Sequence, residues 1–337
     1  MKRRKLQHIC LLLLIILSYT GFSCVTEDQF SNTPSGNFEA LWKIIDQKYC
    51  FLDYKHINWD SIHTVYAAQI TPSMTNENLF EVLGNMLANL KDGHVDLISA
   101  NDVARYWKWF EDYPENFDDS IQRKYLGNDY KTAGGVEYCI LDDNIGYMYY
   151  SSFDSAIGEG NLNQILSDLA VCNGLIIDVR DNGGGTMTNA TKLASRFTNK
   201  KIMTGYIEYK TGPGHEAFSD PYPIYLDPSS NIRWQKKVCV LTNRRSYSAT
   251  NDFVNSMSLL DSVKIVGDKT GGGSGLPFNS ELPNGWTVRF SACPILNVNK
   301  ENIEWGINPD VKVNISSYDY QRGVDTIIET ARKLLKK

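Results

Sequence analysis

Closely spaced cysteines are lacking. Beyond Cys10 and Cys24 the chain has only Cys50, Cys139, Cys172, Cys239 and Cys293, and the nearest two are 33 residues apart. No metal knuckle or redox pair has that spacing. Five is an odd number, so at least one of these thiols stays free unless chains pair. Positive charge is also short, with 34 Lys and Arg against 39 Asp and Glu and a formal charge of -5. Such a balance gives no electrostatic grip on phosphate backbones, which argues against nucleic-acid binding as the main role. No apolar run reaches the ~20 residues that span a bilayer. The Gly-x-Gly-x-x-Gly fingerprint and the Lys-Ser/Thr ending of a phosphate loop are both missing, and no repeat or low-complexity segment is visible. Histidine is scarce: beyond His8 there are four, His56, His63, His94 and His215.

What is present is the composition of a globular protein, 42% hydrophobic and 22% charged over 337 residues. That length suits one large unit or two domains. The first residues stand apart. Lys2, Arg3, Arg4 and Lys5 precede an uninterrupted apolar run from Leu11 to Leu17, and Gly21-Phe22-Ser23-Cys24 follows. A basic region, a short apolar region and small residues make a secretory signal. The ending resembles a bacterial lipobox, with Cys24 as the lipidated residue, although Phe22 is bulkier than such sites favour; a plain secretion signal is the alternative. Cleavage after residue 23 would leave 30 positive against 39 negative residues, a net charge of -9. Residues 24–37 then read as a polar tether.

Residues 38–95 carry helical periodicity, with Phe38, Leu41, Ile44 and Ile45 on one face and Leu79, Val82, Leu83, Met86, Leu87 and Leu90 on another. Thr75 or Asn76 is placed to cap the second helix. This predicts a small N-terminal helical domain. Residues 96–135 form a connecting segment rich in aromatic residues, among them Trp107, Trp109, Phe110, Tyr113 and Tyr125, which either line a substrate groove or, as we expect, pack the domain interface. From 136 to 337 strand and helix signals alternate. A hairpin turns at Asp142-Asp143-Asn144, a helix runs through Leu162 to Leu169, a buried strand follows at 174–179, and a closing helix occupies 322–335. That order predicts an α/β core with partly parallel strands.

Four short segments carry chemistry. Asp178-Val-Arg-Asp-Asn-Gly-Gly-Gly185 follows a buried strand. Its glycines leave backbone N–H groups uncovered, fit either for a tight turn or for cradling an anion or oxyanion. Asn243-Arg-Arg-Ser-Tyr-Ser-Ala-Thr250 lies between a strand and a helix. Ser248 would sit at the positive helix end, where an alkoxide is stabilised; Ser246 and Thr250 are rival hydroxyls, and a helix-capping serine would look the same. In Leu90-Lys-Asp-Gly-His-Val95, His94 lies in a turn, as a base facing a cleft or as a solvated side chain. Glu301-Asn-Ile-Glu-Trp-Gly-Ile-Asn-Pro-Asp310 offers carboxylates that could orient a histidine, or is a polar loop.

Together with Val266-Gly-Asp-Lys-Thr-Gly-Gly-Gly273, and in this order, these motifs closely resemble those of the S41 peptidases, the family of the tail-specific (C-terminal processing) proteases and of the tricorn core protease. The resemblance covers roughly residues 80–315. It implies a crotonase/ClpP-like α/β spiral core at 136–337 beside the helical domain. It also implies Ser248 as nucleophile, with the amides of Ala249 and of Gly183 or Gly184 as the oxyanion hole. Tail-specific members with a Ser-Lys dyad carry a lysine where this chain has Gly273, and Lys269 lies four residues too early. The resemblance therefore points to the tricorn-like branch, with His94 as base and Glu304, or alternatively Glu301, orienting it. The tricorn core has a serine before the histidine, whereas Gly93 stands here. Only some 40 residues separate Val95 from the strand at Tyr138, so no PDZ domain is expected.

The implied activity is hydrolysis of peptide bonds in envelope proteins or peptides through an acyl-enzyme, with no metal or cofactor. The partners would be a peptide or protein substrate, and a membrane only through the lipid, in a bacterial envelope and most simply at the outer membrane. Two other readings keep the same motifs. One is a catalytically idle S41-like lipoprotein that binds peptides. The other is a different acyl transfer, such as thioester hydrolysis, for which no nucleotide fingerprint is present.

Overall fold

The computed structural model describes residues 29–336, so the signal segment and Cys24 lie outside the described residues. Three helices open the chain, α1 (Pro34–Lys48), α2 (Trp59–Ala67) and α3 (Asn76–Ala88). Thr33 starts α1 by accepting the Gly36 N–H, with Pro34 at the first helical position. Of the two residues the sequence offers as cap for α3, Thr75 serves, taking the Asn78 N–H at 3.3 Å.

The helices close no core of their own. Leu41, Ile45, Leu83 and Met86 pack with Leu97, Val288 and Phe290, which belong to an antiparallel sheet, and with Leu282 in one of its turns. That sheet runs β2 (Val103–Arg105), β1 (Asp96–Ile98), β12 (Thr287–Leu296), β7 (Ile202–Ile207) and β8 (Tyr222–Leu226), with β11 (Gly275–Glu281) also paired to β12. Residues far apart in the chain thus complete the N-terminal layer. Between β2 and the next sheet lie two short helices, α4 (Lys108–Glu111) and α5 (Asp119–Leu126).

The second sheet is mixed and seven-stranded, in the order β13 (Val311–Lys312), β10 (Val263–Gly267), β9 (Val238–Thr242), β6 (Leu175–Asp178), β5 (Gly146–Tyr150), β4 (Val136–Ile140) and β3 (Lys131–Ala133). β5, β6, β9, β10 and β13 are parallel neighbours; β3, β4 and β5 are antiparallel, with Asn144 at φ 58 in the predicted turn. The continuous apolar runs of β6 and β9 arise because both faces are covered. Leu175, Ile177, Val238 and Val240 face α6 (Glu159–Asp168), α7 (Met187–Ala194) and α8 (Ala249–Ser258), while Ile176, Cys239 and Leu241 face α10 (Thr326–Leu335), which follows the short α9 (Ser317–Gln321). Each such side chain contributes ~1.5–3 kcal/mol by leaving water.

Parallel neighbours end at one edge of the sheet, so the loops after β6, β9 and β10 emerge together. Crevices at that edge are where open α/β sheets bind ligands. The loop after β6 is pinned by Arg180, which is fully buried and bonds Asp178 at 2.6 Å and Asp325, the cap of α10, at 2.8 Å. Among the described residues no helix is long and apolar enough to cross a membrane.

Candidate active site

Ser248 sits where β9 gives way to α8. Its backbone is left-handed, at φ 57 and ψ -124, a conformation that costs a non-glycine residue ~1–3 kcal/mol and persists only where the surroundings enforce it. Here they do. The Ser248 N–H donates to Gly272 O at 2.8 Å and the Tyr247 N–H to Asn182 O at 3.1 Å, so the loops after β6, β9 and β10 hold one another. The rival hydroxyls are engaged in the same scaffold. Ser246 Oγ donates to Val179 O at 2.8 Å and Thr250 Oγ1 to Asn182 Oδ1 at 2.7 Å, both buried. Ser248 Oγ alone of the three meets an imidazole, 2.9 Å from His94 Nε2.

His94 arrives from the turn between α3 and β1 and is 4% exposed. Its ring packs on Tyr247, which stacks in turn on Trp109 at a centroid distance of 4.1 Å. Gly93 is required by this packing, since a Cβ there would lie 2.6 Å from Trp109 Nε1; a serine before the histidine has no room. Burial pushes the His94 pKa down to about 4, helped by Arg289 and Lys55 and opposed by Asp92 and Asp96. The imidazole is therefore neutral at neutral pH and able to accept a proton.

The structure corrects the expectation for the orienting glutamate. His94 Nδ1 is buried and meets no hydrogen-bond partner among the described residues. Glu304 is buried but turned to other donors, Lys55 Nζ at 2.7 Å and the Ser274 N–H at 2.9 Å. Glu301 is exposed and bonds Asn297. The carboxylate that touches His94 is Asp92, which accepts its backbone N–H at 2.8 Å. Asp92 also accepts from Tyr49 and Ser291, each at 2.9 Å, and lies 3.5 Å from Lys55. Lys55 thus stands as one cation between two buried carboxylates. Burial favours the neutral acid in both, but Lys55, His94 and hydrogen bonds bring Asp92 down to about 2. Glu304 goes the other way, up to about 7, through burial and the negative charge of Asp92.

The backbone donors are sorted by their bonds. Gly184 N–H is taken by Asn182 Oδ1 at 3.0 Å. Gly183 N–H has no acceptor among the described hydrogen bonds, and Ala249, the first residue of α8, has no intrahelical acceptor. Among the described residues the amides of Gly183, Gly185 and Ala249 are free, and two of these, Gly183 and Ala249, are ones the motif resemblance names. A cleft of about 460 Å³ opens over Ser248 and His94, lined by Gly183, Trp107, Trp109 and Phe110 among others. The aromatic segment therefore walls this cleft as well as packing against its neighbours. Lys269 lines a different cleft, with Tyr113 and Trp305. Gly273 leaves no space for a side chain, because its Cβ would fall 2.3 Å from the Tyr247 ring.

The family model of peptidase family S41 matches residues 144–313, half of the chain. The chain belongs to peptidase family S41. A model of the tricorn protease C1 domain matches residues 30–88 of this S41 chain. It is 26% identical over 208 residues to the carboxy-terminal processing protease CtpA of Bacillus subtilis, covering 58% of this chain and 43% of that one. To the tricorn protease of Thermoplasma acidophilum it is 25% identical over 246 residues, covering 72% and 19%. The chain spans less than half the length of these curated relatives. A crystal structure from Parabacteroides merdae, of a protein named provisionally as a peptidase, matches with 56% identity and a TM-score of 0.88 over 90% of this chain and 97% of that one. Mature CPAF bound to lactacystin shares the fold, with a TM-score of 0.69 at 11% identity over 90% and 97%.

Sequence reasoning about this S41 chain missed Asp92 and Lys55. Asp92 lies two residues before His94, a spacing at which a turn carboxylate can cap the histidine's own N–H, so a signal existed. Lys55 lies 249 residues from Glu304 in a segment with no motif, and nothing local announces it.

Proposed function

We propose that this protein is a serine peptidase that cleaves peptide bonds through an acyl-enzyme, with Ser248 as nucleophile and His94 as base and then acid. The observation that carries this is the 2.9 Å contact between Ser248 Oγ and His94 Nε2 at a strained strand-to-helix turn. Oγ attacks the scissile carbonyl as Nε2 takes its proton. The carbonyl oxygen becomes an oxyanion between the Gly183 and Ala249 amides, each such donor being worth ~3 kcal/mol in the transition state. His94 then gives its proton to the leaving amine. Water, activated by the same imidazole, hydrolyses the ester.

The buried cluster supplies the matching charge. Asp92 is ionised beside Lys55, and Glu304, raised to about 7, adds a net negative charge to the cluster only once it loses its proton, a charge that the imidazolium formed during reaction would then neutralise. Asp92 acts here as a positioning residue through the His94 backbone. The proposal extends to place: lipidation at Cys24 would hold the enzyme in a bacterial envelope, with envelope proteins or peptides as substrates, and this part rests on the sequence alone.

A fluorophosphonate probe tests the chemistry. Wild type should label covalently, Ser248→Ala should not label at all, and His94→Ala should label at least ~100-fold more slowly. Labelling of Ser248→Ala would sink the assignment, and a folded wild type that never labels would favour the idle peptide binder. Palmitate incorporation lost in Cys24→Ser tests the anchor.

A further inference from the structure

The cleft over Ser248 and His94 is lined by three guanidinium groups, those of Arg105, Arg245 and Arg289. Two of them share one counter-ion. Asp96 on β1 is the register partner of Arg289 on β12 and of Arg105 on β2, and partners directly opposite on neighbouring strands point to the same face. The three side chains form a row, arginine, aspartate, arginine. Asp96 is buried and its carboxylate is occupied by Arg105, which bonds it through both Nε and Nη2. Arg289 Nη1 comes only to 3.6 Å of the same carboxylate, too far for a hydrogen bond.

One negative charge therefore faces two positive ones, and the Arg289 guanidinium donates no hydrogen bond among the described residues. It is about a third exposed, at 35%. The other acidic residues lining the cleft do not answer it. Asp181 is held by Asn243 at 2.6 Å and is influenced by Arg245 rather than Arg289, and Asp154 is exposed. Arg245 itself lies over the Phe110 ring at 4.1 Å. A planar set of donors with no hydrogen-bond partner and only a shared counter-ion, on the same cleft as Ser248, matches a carboxylate.

We propose that Arg289, positioned by Asp96 and Arg105, binds a substrate carboxylate, so that this cleft favours peptides carrying an acidic group close to the scissile bond. The inference rests on the peptidase reading above. The carboxylate is either an aspartate or glutamate side chain or the free end of the chain, since both present the same group. Its arrival has a second consequence. Arg289 is one of the charges that hold the His94 imidazolium unfavourable, and a bound carboxylate cancels it, making His94 a better base only once substrate is seated.

The test uses the purified full chain and matched peptide sets, Glu against Gln at each position around the cleaved bond and free acid against amide at the C-terminus. Wild type, Arg289→Lys and Arg289→Gln are compared by kcat/KM, with fluorophosphonate labelling run on each to show that Ser248 remains reactive. Wild type should favour the carboxylate member of a pair by about tenfold or more. Arg289→Gln should bring that ratio close to one while still labelling, and Arg289→Lys should keep part of it. The set in which the ratio appears identifies the source of the carboxylate. A wild type that labels and cleaves without preference in either set, or an Arg289→Gln that keeps the ratio, overturns this inference and leaves the peptidase reading standing. A folded wild type that neither labels nor cleaves overturns both.

Discussion

Ser248 Oγ and His94 Nε2 lie 2.9 Å apart although 154 residues separate them in the chain. The serine rides on the parallel sheet and the histidine on the turn leading into the antiparallel one, so the contact exists only where the two layers meet. Its pH dependence is set by burial. Because His94 keeps its neutral form down to about 4, the acid limb of kcat/KM should fall near pH 4 and not near the ~6.5 of an ordinary histidine. The same depression bears on stability. An unfolded histidine takes its proton below ~6.5 while the native one does not until about 4, so stability is lost as pH falls through that window. Circular dichroism beside the rate profile separates the two effects. A limb near 6.5 in folded protein would mean that the imidazole is not desolvated as described.

Gly184 should tolerate no side chain. Its φ is +101, and a Cβ would stand 2.7 Å from Tyr247 O and 2.8 Å from Ser248 Cβ. Gly184→Ala is expected to cost ~1–3 kcal/mol of stability and to displace the serine, lowering fluorophosphonate labelling at least tenfold. At Gly183 a Cβ meets nothing within 4 Å, so Gly183→Ala should melt within a few degrees of wild type. Equal melting temperatures for the two variants would contradict the packing of this loop.

Much of this site could be read before any coordinates, and the reason is physical. Ser248, His94 and the glycine loop are local solutions, in which a few consecutive residues fix a strained turn, a helix start or uncovered amides. The hairpin at Asn144 and the buried strands β6 and β9 were legible for the same reason. What failed was partnership across the fold. Glu304 reaches the buried cluster that holds Asp92, but its carboxylate is claimed by Lys55, and no spacing in the sequence links residue 55 to residue 304. The aromatic residues at 107–110 have no period, so their place on the cleft wall depends on where β1 and β2 happen to dock. The shared core of α1 to α3 with β12 was hidden in the same way.

A lysine at position 273, where the sequence resemblance places the base of a Ser-Lys dyad, should not restore reactivity in the absence of His94. Gly273 is at φ +74 with the Tyr247 ring against it, so a lysine there must displace the tyrosine that packs between His94 and Trp109. His94→Ala/Gly273→Lys is expected to stay as unreactive toward fluorophosphonate as His94→Ala, up to pH 10, and Gly273→Lys alone to melt lower than wild type. Labelling that returns at alkaline pH in the double variant would show that the site can accept a dyad after all.

Lys55 should matter more to stability than any surface ion pair, because it separates two carboxylates from which water is excluded. Lys55→Met leaves them facing each other and should cost ~3–5 kcal/mol, with part regained in Lys55→Met/Glu304→Gln. The pH dependence of Glu304→Gln isolates the second carboxylate. Glu304 moves from an ordinary 4.5 up to about 7 on folding, so its contribution is fully present below 4.5 and is lost as pH rises through 7. Glutamine cannot ionise. Glu304→Gln should therefore gain on wild type between pH 5 and pH 8, by as much as about 3 kcal/mol, read from urea unfolding at the two values. A difference that stays constant would mean that Glu304 is ionised against Lys55 throughout, and that the buried cluster already carries its negative charge before His94 is ever protonated.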